Sequence, residues 1–124
     1  MVKEREYDLQ DRLIDFAVRI VRVAEALPDT KIGNHIRGQL LRCGTSPAPN
    51  YGEAQSAESR LDFIRKIKIV LKELRETKVW LLMIVRAQLI APEEKLKPVI
   101  EENDELIAIF VKSEQTVKGK KKTS

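Results

Sequence analysis

Four basic residues, Arg65, Lys68, Lys72 and Arg75, recur at spacings of 3, 4 and 3, which is one stripe of a helix. Four more lysines, Lys118, Lys120, Lys121 and Lys122, sit in the last seven residues without an acid among them. A cationic stripe and a lysine tail can hold phosphates by releasing counterions, with no readout of base sequence. Few aromatics are available to stack bases, so recognition of single strands by stacking is weakly supported. Little else in the chain suggests chemistry. Cys43 and His35 lie eight residues apart, which on a helix is about 12 Å and too far for a thiolate–imidazole pair. Gly44-Thr45-Ser46 is part of no phosphate loop, and Glu53 and Glu58 form no acid–base pair. We expect no catalytic residues, no metal and no cofactor.

Composition narrows the field further. The chain has 124 residues, 43% hydrophobic and 34% charged, with five glycines and five prolines, which describes one helix-rich domain. One cysteine excludes an internal disulfide and a cysteine-cluster metal site, and one histidine excludes the usual two- and three-histidine sites. The net charge is +4, yet without the four tail lysines it is 19 basic against 19 acidic residues. The charged opening MVKEREYDLQDR does not resemble a signal peptide. The longest apolar run, Val79 to Val85, is too short for a membrane span, which needs about 20 residues. A cytoplasmic location with no membrane partner is the expectation.

The elements that must position these residues are helical. Leu9, Leu13, Phe16, Ile20, Val23 and Leu27 mark a first helix, capped by Asp8 with Asp11 at N3 and ended by Leu27-Pro28. Thr30 caps a second, with Ile32, Ile36, Leu40 and Cys43 as its buried stripe. Pro47 and Pro49 kink or break it. Ser59 and Asp62 open a third over about residues 60–90, with Ile64, Ile67, Leu71, Leu74, Leu81 and Val85 inward. Lys78 falls on that inner stripe and must snorkel or meet an acid. A break at Ala91-Pro92 leads into a fourth, marked by Leu96, Val99, Ile100, Leu106, Ile107 and Phe110. The fold class is all-α: an antiparallel up-down-up-down four-helix bundle with its second helix kinked near Pro47/Pro49. Its domain covers residues 1–116, and 117–124 is a disordered lysine-rich tail.

Two surfaces admit more than one reading. Ile69, Trp80, Met83 and Ala87 fall on the outer side of the third helix, whose second half is apolar all round, and such a helix must be covered on every side. A second copy with Trp80 as anchor would cover it, and so would the fourth helix or a terminus wrapping back. The segment from Arg60 to Ile90 holds eight basic and three acidic residues, and that from Pro92 to Lys112 three basic and six acidic. The basic stripe is therefore either a solvated flank paired with Glu101, Glu102, Asp104 and Glu105 or a phosphate-binding surface. Asn50, Tyr51 and Glu53 either stabilise the kink or line a ligand or RNA site there.

The run Gln39-Leu40-Leu41-Arg42-Cys43-Gly44-Thr45-Ser46-Pro47-Ala48-Pro49-Asn50-Tyr51-Gly52-Glu53-Ala54 closely resembles the hallmark of the bacterial 23S rRNA intervening-sequence proteins. Asp62-Phe63-Ile64-Arg65-Lys66, Leu71-Lys72-Glu73-Leu74-Arg75-Glu76-Thr77, Trp80-Leu81, Tyr7-Asp8-Leu9 and Leu27-Pro28 extend the likeness over about residues 7–90. Cys43 stands where a serine is more usual in that family. The resemblance implies a four-helix bundle assembled as a homopentamer, with a biochemical function that is largely undefined. A distantly similar branch, the accessory variability determinants of diversity-generating retroelements, binds nucleic acid and a reverse transcriptase, a fold-level analogy only. The resulting expectation is a non-enzymatic oligomer that binds RNA or DNA, with an oligomeric scaffold for a protein partner as the alternative.

Overall fold

A computed structural model describes residues 7–123, with side chains as far as residue 117. It holds five α-helices: α1 (Leu9–Ala26), α2 (Lys31–Thr45), α3 (Pro47–Gln55), α4 (Arg60–Arg86) and α5 (Lys97–Thr123). A 3₁₀ turn, Glu93–Lys95, lies between α4 and α5. There is no strand among the described residues. α2 and α3 are two halves of one bent rod, because Ser46 ends one and starts the other while keeping helical angles (φ −66°, ψ −36°). The molecule is therefore a four-helix bundle with the expected kink.

The helix starts follow from their caps. Asp8 accepts from the Asp11 amide, and the Asp11 carboxylate accepts in return from the Asp8 amide. Thr30 accepts from the Gly33 amide and Ser59 from the Asp62 amide. At the kink, the Asn50 side chain fastens the first turn of α3 to Ser46. Its amide group donates to the Ser46 carbonyl at 3.0 Å and to the Ser46 hydroxyl at 2.8 Å.

Neighbouring rods run antiparallel, since contacts pair rising with falling numbers. Gln10 donates to the Ala48 carbonyl, and Arg37 to that of Ala24. Lys66 meets Glu53, and Arg42 meets Glu73 further along α4. Arg12 meets Glu102 and Glu105. α1 packs on α2, α3 and α5, and α4 packs on the same three, which places α1 and α4 on a diagonal. The core takes most of the predicted inward stripes, with Phe16, Leu40, Leu74, Leu81, Leu106 and Phe110 fully buried, while Val85 is only half-buried and Val70 and Ile84 are buried in addition. Cys43 lies within it, and burial pushes its thiol pKa up, away from reactivity.

Close approach at the kink depends on Gly44. A Cβ there would lie 2.6 Å from Cγ2 and 2.8 Å from Cγ1 of Ile20, a fully buried and rotamerically stiff side chain. Helix propensity alone favours Gly44→Ala by about 1 kcal/mol. Overpacking costs about 1–3 kcal/mol and sets the sign, so the variant is expected to be less stable in urea unfolding. Ile20→Ala removes both clashing carbons. The double variant should then cost less than the sum of the two single changes.

Four expectations need correction. Ile32, assigned to a buried stripe, is 63% exposed. It sits in the first turn of α2, before the helix is packed in the core. The third helix ends at Arg86, not near 90, because Gln88 takes a left-handed conformation (φ 56°) and the Leu89 amide donates back to Ile84. The fourth helix starts at Lys97 and not at Pro92, which instead caps the 3₁₀ turn. α5 continues to Thr123, about two turns beyond the end expected near Thr116. Whether the lysine tail contacts anything lies outside the described residues, because the side chains of Lys118, Lys120, Lys121 and Lys122 are among those not described.

Candidate nucleic-acid and docking surfaces

α4 is 27 residues long and buries Ile64, Ile67, Val70, Leu71, Leu74, Thr77, Leu81 and Ile84 on one side. At 100° per residue the opposite side is a ridge running Arg65, Lys68, Lys72, Arg75, Val79, Met83 and Arg86. All seven are exposed. The ridge is thus basic in its first half and apolar in its second.

The pairing expected between the basic stripe and the acids of α5 does not form. Glu102 and Glu105 turn to α1, where Arg12 donates to both Glu102 oxygens at 2.8 Å and to Glu105 at 2.9 Å. The Arg12 hydrogen bond holds the Glu102 carboxyl below its ordinary pKa, against the opposing effect of burial. Asp104 takes Lys78 at 2.8 Å, the acid required by that inward lysine. Among the described residues, Arg65, Lys68, Lys72 and Arg75 have no ion pair within 4.0 Å.

The acids of α4 itself are drawn off the other way. Arg42 of α2 donates to Glu73 at 3.2 Å and also to Glu76. The Trp80 indole N–H donates to the same Glu76 oxygen at 3.0 Å, and its ring meets His35 edge-on at 5.9 Å. Glu73 and Glu76 are thereby held against α2, on the flank of the ridge. The lysines and arginines on the ridge keep their positive field.

The kink residues are spent inside the chain. Arg42 ties α2 to α4, Asn50 fastens the start of α3 to Ser46, and Glu53 takes Lys66 at 2.6 Å. Tyr51 meets Phe110 edge-on at 5.6 Å, and burial raises its hydroxyl pKa. These four residues knit the bent rod to its neighbours. No group of three or more His, Cys, Asp or Glu that could hold a metal occurs among the described residues. No helix of the described residues is long and apolar enough to cross a membrane.

Of the residues expected at an oligomer interface, Ile69, Met83 and Ala87 are exposed, whereas Trp80 is half-buried against α2. Met83 is joined by Val79, which is 51% exposed. With Ile36, Leu82, Arg86 and Ala87 they line an open groove of about 600 Å³ between α2 and α4. Sequence reasoning passed over a second apolar surface. Ile14, Val18 and Val21 on the outer side of α1 are 44%, 48% and 37% exposed. Their spacing of 4 and 3 was a helical stripe in plain view, hidden behind the stronger inward stripe of the same helix.

The comparisons agree with this geometry. A crystal structure from Bacteroides thetaiotaomicron, described as a protein with unknown function from the S23 ribosomal protein family, superposes with a TM-score of 0.80 at 34% identity. The match covers 86% of this chain and 98% of that one. No curated protein matches the chain. The family model for 23S rRNA-intervening sequence proteins matches residues 5–112, nearly the whole bundle, and the chain belongs to that family.

Proposed function

We propose that the protein is a non-enzymatic oligomer that binds RNA through the basic half of the α4 ridge. The observation that carries this reading is the row Arg65, Lys68, Lys72 and Arg75, which makes no ion pair among the described residues while Arg42 holds Glu73 and Glu76 of the same helix. On an elongated helix these four charges extend over ten residues, about 15 Å, a length that spans several phosphates of a duplex. Copies of the ridge repeated in an oligomer would raise the effective concentration of phosphate contacts. The exposed row contains no aromatic residue, so recognition rests on backbone charge and shape, not on base stacking. The homopentamer implied by the family resemblance and the contribution of the lysine tail belong to the same proposal. The open groove between α2 and α4 favours a second reading, a scaffold that docks a protein partner.

A gel shift with a structured RNA at graded salt separates the two. Four phosphate contacts per chain predict an affinity that falls on the order of 10²-fold between 50 and 200 mM salt. Lys68→Glu with Lys72→Glu should weaken binding across sequences and flatten the salt slope by about two. Removing residues 118–124 measures the tail's share. Binding that is insensitive to both changes would sink the RNA reading and leave the scaffold.

A further inference from the structure

The corner where the chain turns into α5 sorts its charges onto two sides. Glu93 and Glu94 of the 3₁₀ turn, with Lys97 and Glu101 of α5, line a cavity of about 400 Å³ on the α4 side, against Val85. The next residue of the turn, Lys95, lines a different cavity. With Arg19 and Arg22 of α1 it borders an open hollow of about 260 Å³ whose apolar part is Val23, Pro98 and Val99. Three cations and no acid line this second hollow. The acids closest to it are engaged or weakly held. Glu102, whose carboxyl also feels the Arg19 charge, has both oxygens on Arg12. Glu25 reaches Arg22 only at 3.6 Å, with both side chains largely exposed, and a pair of that kind contributes little. Arg19 and Lys95 make no ion pair within 4.0 Å among the described residues.

We infer that this hollow binds a di- or triphosphate group. The argument is charge density and size. On the α4 ridge the cations lie in a row about 15 Å long, which suits phosphates spaced along a strand. At the α1–α5 corner three cations from two elements surround one concavity. A single phosphodiester brings one negative charge and would leave most of that field uncompensated. A di- or triphosphate brings several, on adjacent phosphorus atoms. Two of the three cations are arginines, whose planar forks take phosphate oxygens in pairs. The volume lies below the roughly 300–1,000 Å³ of sites that enclose a whole small molecule. The hollow therefore holds the phosphate end and leaves the rest of the ligand outside. Such a group has two sources, a free nucleotide and the 5′ end of an unprocessed RNA. Because α1 and α4 lie on a diagonal of the bundle, this site is separate from the ridge and stands or falls without it.

Calorimetric titration of the full chain with inorganic pyrophosphate, in metal-free buffer at low salt, tests the site. The wild type should bind pyrophosphate, and orthophosphate more weakly. Arg19→Ala and Lys95→Ala, both at exposed positions, should each weaken pyrophosphate binding about 10-fold or more through the loss of one charge-assisted contact, with helical circular dichroism unchanged. Lys68→Glu with Lys72→Glu on the ridge should leave pyrophosphate binding in place, so failure of the ridge and failure of the hollow read separately. Gel shifts then assign the source. Preference for a 5′-triphosphate RNA over its 5′-hydroxyl twin, lost in Arg19→Ala, supports the site with an RNA end as its ligand. Equal shifts for the two RNAs, with bound pyrophosphate displaced by a nucleoside triphosphate, support it with a free nucleotide. A wild type that takes up no pyrophosphate would overturn the inference. So would binding that Arg19→Ala and Lys95→Ala leave intact, or that the ridge variant abolishes equally.

Discussion

Phe110→Ala is expected to lower stability by about 3–5 kcal/mol, the cost of deleting a fully buried aromatic ring from a core that cannot close over the gap. Phe110 is completely inaccessible and lies four residues after Leu106 on the inward stripe of α5. It also makes the edge-on contact with Tyr51, so its loss reaches α3 as well as α4. For a domain of this size such a loss consumes much of a total of about 5–15 kcal/mol. Urea unfolding followed by circular dichroism measures it. Phe110→Leu keeps most of the apolar volume and should cost markedly less. Equal losses from the two variants would show that packing at this position does not control stability.

Asn103→Leu is expected to act in the opposite direction, raising stability by about 1–3 kcal/mol. Asn103 is fully buried on the inward face of α5, and neither its amide nitrogen nor its oxygen has a hydrogen-bond partner among the described residues. A buried amide left without partners forfeits its hydration, whereas leucine is close to it in size and loses nothing. Thermal unfolding should shift upward by several degrees. A lower melting temperature would mean that Asn103 contributes a contact the apolar side chain cannot replace. Such a residue is conspicuous in a stripe of Leu96, Val99, Leu106 and Phe110, and a polar core position can fix the register of one helix against its neighbours.

Much of the fold was legible in the sequence for simple reasons. Inward stripes repeat at 3 and 4, and three N-caps announce themselves as Asp8, Thr30 and Ser59. The kink was legible because proline cannot donate a hydrogen bond. The end of α4 was not, since its left-handed residue is Gln88 and not the glycine that usually marks such a turn. Ion-pair choices were not legible either. Glu102 and Glu105 had lysines and arginines on α4 within the pattern's reach, yet took Arg12 from α1, ninety residues earlier in the chain for Glu102. Local spacing carries no information about such partners. The candidate site was half legible: the basic stripe stood out by its period, and its isolation from acids emerged only from the packing.

The Arg12–Glu102 contact also bears on when the protein can fold. It joins the first helix to the last, and the final rod supplies Leu96, Val99, Leu106 and Phe110 to the common core. A nascent chain that has released only α1 to α4 has three rods with one open apolar side. Closure must wait until α5 has been synthesised, so the core is completed only when its last rod joins the other three.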